Sequence, residues 1–190
     1  MRNFILVSAK GRTRADWSDL MHAGRLDIVC HAVISALYTS NAVRDDVQID
    51  ISLNGPPIPP LLITIQNHPE ATLSKKDIGT LIKIAQRKFR EGERREAHPG
   101  VFVEKKSWQA LVNEANDTGK KVFYLDSDGE DVATADIPAD ATFVIGDHDG
   151  FEKHDVKFLK SRATPISIGK RVYFTSQVIS FLNIWMDRKA

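Results

Sequence analysis

A chain of 190 residues with 26 basic and 25 acidic side chains carries a net charge of +1, and 42% of its residues are hydrophobic and 27% charged. This is the composition of an ordinary folded domain and excludes a disordered tail, a collagen-like rod and a cysteine scaffold. No apolar run approaches the ~20 residues a membrane helix needs. The opening MRNFILVSAKGR lacks the apolar core and cleavage site of a signal peptide. The lone Cys30 can form neither an internal disulfide nor a multi-thiolate site. A cytoplasmic protein, free of membrane and metal, is the expectation.

Phe4–Ala9 (FILVSA) reads as a buried strand. Leu26, Val29, Cys30, Val33, Ile34 and Leu37 recur at three- and four-residue spacing and predict an amphipathic helix over Leu26–Thr39. Val47–Leu53 (VQIDISL) alternates at period two, as a half-buried strand does, and the proline-rich GPPIPP that follows is a rigid connection to a strand at Leu61–Ile65. Ser74–Arg90 is predicted helical, with Ser74 as N-cap and Asp77 three residues on. The rhythm continues with a strand at Gly100–Val103, a helix over Ser107–Asn116 and a strand at Lys121–Leu125. After a turn at Asp126–Gly129 come a strand at Thr142–Ile145, a helix over Glu152–Lys160, a strand at Thr164–Ile168 and a closing helix over Phe174–Asp187. Such alternation predicts one α/β domain over residues 1–190, its sheet mostly parallel and covered by helices on both faces.

Two stretches are locally basic on this neutral chain. Residues 1–15 hold Arg2, Lys10, Arg12 and Arg14 without an acid; residues 83–96 hold six cations against Glu91, Glu93 and Glu96. They suit an RNA or phosphate surface, or equally a solvated helix face with i,i+4 ion pairs. In open α/β sheets ligands gather at the carboxyl ends of strands. Leu125-Asp126, Gly146-Asp147-His148 and Ile168-Gly169-Lys170 each set a turn residue directly after an apolar run. Each is ordinary strand-to-helix turn chemistry alone; together they suggest a shared pocket. Dinucleotide, P-loop, metal-ligand and hydrolase-nucleophile motifs are absent from the sequence. In Ala23-Gly24-Arg25-Leu26-Asp27, Asp27 suits the positive end of a helix, whereas Arg25 can reach a carboxylate or phosphate bidentately.

AGRLD (23–27), LNGPPIPP (53–60), HPGVFV (98–103), YLDSDGED (124–131), FVIGDH (143–148) and ISIGKRVYFTSQVISFLNIWMDR (166–188) stand in the order and spacing of the archaeal tRNA pseudouridine N1-methyltransferases of the SPOUT superfamily. The resemblance runs from residue 1 to about 188. It implies a trefoil-knotted domain, a homodimer, and transfer of a methyl group from S-adenosylmethionine to N1 of pseudouridine 54 in the tRNA T-loop. By motif position, Leu125, Gly146, Ile168, Gly169, Lys170, Arg171, Val172 and Tyr173 would contact the donor, with Asp147 and His148 serving donor or nucleotide and Val178 forming pocket wall. Asp27 would accept or orient the N1 proton, Arg25 would hold base or phosphate, and Arg12, Arg14, Arg87 and Arg90 would track the tRNA backbone. The chain departs from the family at Gln177-Val178, where relatives usually carry His-Cys. Other readings of the resemblance are a methyltransferase acting on ribosomal RNA pseudouridine and a non-catalytic RNA-binding paralogue.

Overall fold

The opening apolar run forms β1 (Arg2–Ser8), and residues 9–25 lead without helix or strand into α1 (Leu26–Leu37). Then follow β2 (Val47–Leu53), β3 (Leu61–Gln66), α2 (Ile78–Lys88), β4 (Arg95–His98), β5 (Val101–Glu104) and α3 (Trp108–Asp117). The chain closes with β6 (Val122–Asp131), β7 (Thr142–Gly146), α4 (Lys153–Arg162), β8 (Thr164–Ser167) and α5 (Thr175–Asp187). This is a computed structural model that describes residues 1–70 and 74–189. Among these residues no helix is long and apolar enough to cross a membrane.

The strands form an eight-stranded sheet in the order β4-β5-β3-β2-β1-β7-β6-β8. The pairs β2/β1, β1/β7, β7/β6 and β6/β8 are parallel, so the carboxyl ends of five strands share one edge; β3, β5 and β4 add antiparallel pairs at the far side. Side chains alternate across each strand, and each face has its own core. Phe4, Leu6, Phe123 and Phe143 pack under α1, α2 and α5, while Ile5, Val7, Tyr124 and Val144 pack under Trp108 and Val112 of α3 and Leu159 of α4. Helices thus cover both faces of a mostly parallel sheet, as the alternation of segments predicts.

The boundaries carry three corrections. The predicted helix from Ser74 opens as a tight 3₁₀ turn, Lys75–Asp77, in which Ser74 Oγ accepts the N–H of Lys76 at 3.3 Å; the α-helix proper starts at Ile78. The basic stretch 83–96 is only partly helical, because Arg95–His98 is the edge strand β4. The period-two strand Val47–Leu53 is buried on both faces: Asp50 is 1% exposed, with its carboxylate accepting from Thr64 Oγ1 at 2.5 Å, Asn3 Nδ2 at 2.8 Å and Gln48 Nε2 at 2.9 Å. Three donors offset the desolvation of that charge.

Leu125 and Glu130 both pair with Ile166 of β8. The register of β6 on β8 therefore shifts between Leu125 and Glu130, an irregularity that leaves residues 126–129 out of the ladder. Gly129 lies so close to β8 that a Cβ there would stand 2.7 Å from the Ile166 nitrogen. The turn expected at Asp126–Gly129 is instead an irregular stretch inside β6, which runs on to Asp131; Val132 then donates to Ser167 O at 2.9 Å.

α5 is fixed at both ends. Thr175 Oγ1 donates to Gly146 O at 3.0 Å. The buried Asn183 donates to Ser35 O and Ala36 O, both at 3.0 Å, and accepts from Arg2 Nη1 at 2.5 Å. Arg44 and Arg2 converge on Asp187, and the hydrogen bond from Arg44 holds that carboxyl below the usual range.

Candidate active site

A cavity of about 340 Å³ opens at the carboxyl ends of β6, β7 and β8. Its wall contains Leu125, Gly146, Asp147, Ile168, Gly169, Lys170, Arg171, Val172, Tyr173 and Val178, so the three strand-end turns do meet in one pocket. Asp126, Ser127, Ile145, Gly150, Phe151, Ile166 and Thr175 complete the lining. Asp126 belongs to the strand end expected at the pocket, and Ser127 could have been found from its place beside it after the run VFYL; Phe151 and Thr175 carry no local signal. His148 is the exception among the expected contacts. It lies outside the lining and is exposed, its ring 3.8 Å from Asp147 and 3.7 Å from Asp149.

The wall is part apolar surface and part bare backbone. Leu125, Ile145, Ile166, Ile168 and Val178 offer a greasy slot of the kind that holds a flat heterocycle. None of the backbone N–H groups of Lys170, Arg171, Val172 and Tyr173 donates to a protein acceptor among the described residues, leaving donors for a ligand's polar groups. The N-terminus of α5, where helix N–H groups point outward, borders the same space through Thr175 and Val178. Slot, free donors and helix end fit an adenosine carrying a charged amino-acid tail. The Gln177-Val178 departure is absorbed: Val178 is 8% exposed in the wall, and Gln177 Oε1 accepts the Phe174 N–H at 3.1 Å, closing the first turn of the helix.

Two of the expected contact residues spend their charges on the protein itself. Lys170 Nζ donates to Ser127 O and to Asp128 Oδ1, both at 3.0 Å, clasping the irregular middle of β6 to the loop after β8. Asp147, 7% exposed, accepts the N–H of Ala9 and that of Asp149, each at 3.0 Å. Its carboxylate therefore holds the loop after β7 against the loop after β1.

That second loop, residues 9–25, is pinned on every side. Thr13 Oγ1 donates to Gly55 O at 3.1 Å and accepts from Ile58 N at 2.9 Å. Gln86 of α2 donates to Arg12 O at 2.6 Å and accepts from the Trp17 indole at 2.9 Å. Gly24 rests on Lys10 with φ +71°, so close that a Cβ would stand 1.8 Å from the Lys10 carbonyl oxygen. Arg25 follows at φ 62°, the one non-glycine residue with positive φ among those described. Two left-handed residues in succession turn Arg25 back on Asp27: Nε and Nη2 reach its two carboxylate oxygens at 3.0 and 2.9 Å. The expected partner of Arg25 is thus Asp27 itself. The hydrogen bonds from Arg25 hold the Asp27 carboxyl below its ordinary range. The pair sits beside β1 on the edge that carries the cavity, joined to it through Lys10, Ala9 and Asp147.

The two basic stretches meet. Arg14, Arg87 and Arg90 line one shallow groove of about 350 Å³, together with Thr13, Gln86 and Phe89. Arg12 is turned away, its guanidinium bound at 3.0 and 2.7 Å to the two oxygens of Asp16.

Residues 1–190 match the family described as "Putative SAM-dependent RNA methyltransferase". The tRNA (pseudouridine(54)-N(1))-methyltransferase of Methanococcoides burtonii is 34% identical over 99% of this chain and 96% of its own. That of Thermococcus kodakarensis is 32% identical over 98% and 99%. The crystal structure of Archaeoglobus fulgidus Nep1 bound to S-adenosylhomocysteine superposes with a TM-score of 0.66 at 15% identity, covering 98% of this chain and 97% of that one, and so shares the fold. The chain belongs to the family of S-adenosylmethionine-dependent RNA methyltransferases that contains the tRNA (pseudouridine(54)-N(1))-methyltransferases.

Proposed function

We propose that this protein methylates N1 of pseudouridine 54 in tRNA, in the cytoplasm, with S-adenosylmethionine as donor. The observation that carries the reading is the meeting of the three strand-end turns in one cavity whose slot and free N–H donors fit that donor. S-adenosylmethionine supplies a methyl group already activated on a sulfonium, so no protein nucleophile is needed and the Val178 departure leaves the chemistry intact. The chain's own part is positioning, which can account for several kcal/mol of a transfer barrier. The residue 168–173 loop and the apolar wall hold the donor. Asp147 sets the loop after β1 against it, and the Arg25–Asp27 pair receives the base. Asp27, kept ionised by Arg25, can accept a hydrogen bond from N1–H and orient the nitrogen. Labelled methyl transfer to tRNA before and after pseudouridylation tests the reading.

The groove of Arg14, Arg87 and Arg90 suits the tRNA backbone, with Arg12 holding the loop that carries Arg14. Replacing Arg87 and Arg90 together by alanine is expected to lower the slope of log affinity against log salt by about 1.5, two phosphate contacts at ~0.7–0.9 each. An unchanged slope in filter binding would return the patch to plain solvation.

Residues 1–190 act as one domain with a trefoil knot; the single sheet supports the one domain, and the pairing of both Leu125 and Glu130 with Ile166 supports the knot. The active form is a homodimer through the outer face of α5. Phe174, Phe181 and Ile184 are 77%, 41% and 60% exposed and lie at helical spacing, and Trp185 stacks on Phe181 with ring centroids 6.5 Å apart. Apolar exposure of this kind marks an interface. Sedimentation should find a dimer that Phe181→Ser with Ile184→Ser converts to monomer; a monomeric parent would remove the dimer.

A further inference from the structure

We propose that α4 carries a second RNA-backbone contact, formed by Lys153, Lys157 and Lys160 with Lys120 and Arg162 at its far end, which engages the tRNA outside the arm that presents the reacting base. The inference rests on the tRNA reading above. Residues 153, 157 and 160 are four and three apart, so they form one stripe along the helix, and all three are exposed. The stripe ends at a groove of about 380 Å³ lined by Lys120, Lys160 and Arg162. Of the neighbouring acids, Asp136 pairs with Lys121 and Glu114 with Lys106, Asp155 is buried against Gln109 and His154, and Glu152 and Asp117 are the exposed carboxylates left beside five cations. Lys153, Lys157, Lys160, Lys120 and Arg162 form no ion pair among the described residues, and Lys121, the groove's other cation, pairs with Asp136.

Helix stability does not account for the arrangement. Lys160 and Arg162, in the last turn, complement the helix dipole, but Lys153 sits in the first turn, where a cation is unfavourable. That helix end also lacks a side-chain cap. The stripe starts where the donor cavity stops. Gly150 and Phe151 line the cavity, and Lys153 lies two residues on. From there ten residues of helix carry the charge ~15 Å towards the opposite edge of the sheet.

The chemistry of the surface selects a polyanion. A membrane-seated helix needs an apolar face beside its cations, and a protein hot spot needs a buried aromatic or aliphatic anchor. The exposed large apolar side chains cluster at residues 172–184 or lie at Met1, Met21 and Ile58; α3 and α4 present none. The groove of Arg14, Arg87 and Arg90 lies with α2 on one face of the sheet, and α4 lies on the other. A short hairpin seated at one patch leaves the other free, whereas a folded tRNA has a second arm to offer.

The test compares full-length pseudouridylated tRNA with a hairpin of its reacting arm, using Lys153→Ala, Lys157→Ala and Lys160→Ala combined. Alanine at exposed helical positions favours the helix, so the variant keeps its fold. For full-length tRNA, affinity at 0.1 M salt should fall at least about tenfold, and the slope of log affinity against log salt should drop by about 2. Hairpin binding and the rate at saturating RNA should stay at parent values. Unchanged slopes with both RNAs would make the stripe a solvated face, and an equal loss with the hairpin would place it on the reacting arm; either overturns the proposal. Transfer of weak binding to an acidic polypeptide in place of RNA would overturn it too. Binding is read without turnover, so a parent that binds tRNA but methylates neither RNA counts against the catalytic reading alone.

Discussion

Asp27→Ala is expected to lower single-turnover methyl transfer about 100-fold at saturating donor and tRNA, the order of loss that follows from misplacing a reacting group by ~1 Å. S-adenosylmethionine affinity should stay within about twofold, since Asp27 is not in the cavity wall. The carboxylate is bound at both oxygens by Arg25, and that pairing depresses its pKa. A depressed acid is a weak base, so in the proposed mechanism Asp27 orients N1–H and the proton released as the N1–methyl bond forms passes to solvent water. Two consequences separate these roles. The ionised form persists until pH falls through the lowered pKa, so the rate should show no acid limb from this group above about pH 4. Arg25→Ala and the double variant should each lose nearly as much as Asp27→Ala, the non-additivity of residues acting as one unit. Additive losses, or an unchanged rate in Asp27→Ala, would remove the pair from the mechanism.

Gly24→Ala should cost far more stability than its size suggests. The left-handed φ of +71° costs an alanine ~1–2 kcal/mol. The Cβ would also meet the Lys10 carbonyl at 1.8 Å, an overlap with backbone that cannot swing aside; overpacking of this kind costs ~1–3 kcal/mol. Together they predict a loss of about 2–5 kcal/mol in urea unfolding, or roughly 10 °C in Tm for a chain of this length. Gly92→Ala is the control, because it has φ +78° with nothing within 4 Å of the added carbon. It should lose only the conformational share. Equal losses at the two sites would mean that the Lys10 contact holds nothing. Methylation by Gly24→Ala should fall further than its folded fraction, because relieving the overlap moves Arg25.

Most of the sheet was legible from apolar periodicity, and what escaped did so for physical reasons. β4, Arg-Glu-Ala-His, has no apolar run; Ala97 is its single buried residue, and the strand exists through backbone pairing of Arg95 with Val103 and Glu96 with Phe102. Asp50 looked solvent-facing at period two because the side chains that bind it come from β1, from its own strand at Gln48 and from β3. The cavity was legible because a turn residue after an apolar strand marks a carboxyl edge whatever its neighbours are. The roles within it were not. Asp147 and His148 are adjacent in sequence, yet one is buried against Ala9 and the other exposed, since that choice depends on β1 lying beside β7. In the same way, nothing local shows that Arg14 meets Arg87 and Arg90: Gln86 and Trp17, far apart in the chain, make that junction.

The most direct measurement is the incorporation of labelled methyl from S-adenosylmethionine into one tRNA transcript, before and after a pseudouridine synthase has acted on its position 54. Only the treated RNA should become labelled, with the label on the ring nitrogen that glycosidic rearrangement leaves free. Equal labelling of the untreated transcript, or none in either by a well-folded protein that binds the donor, would contradict the assignment.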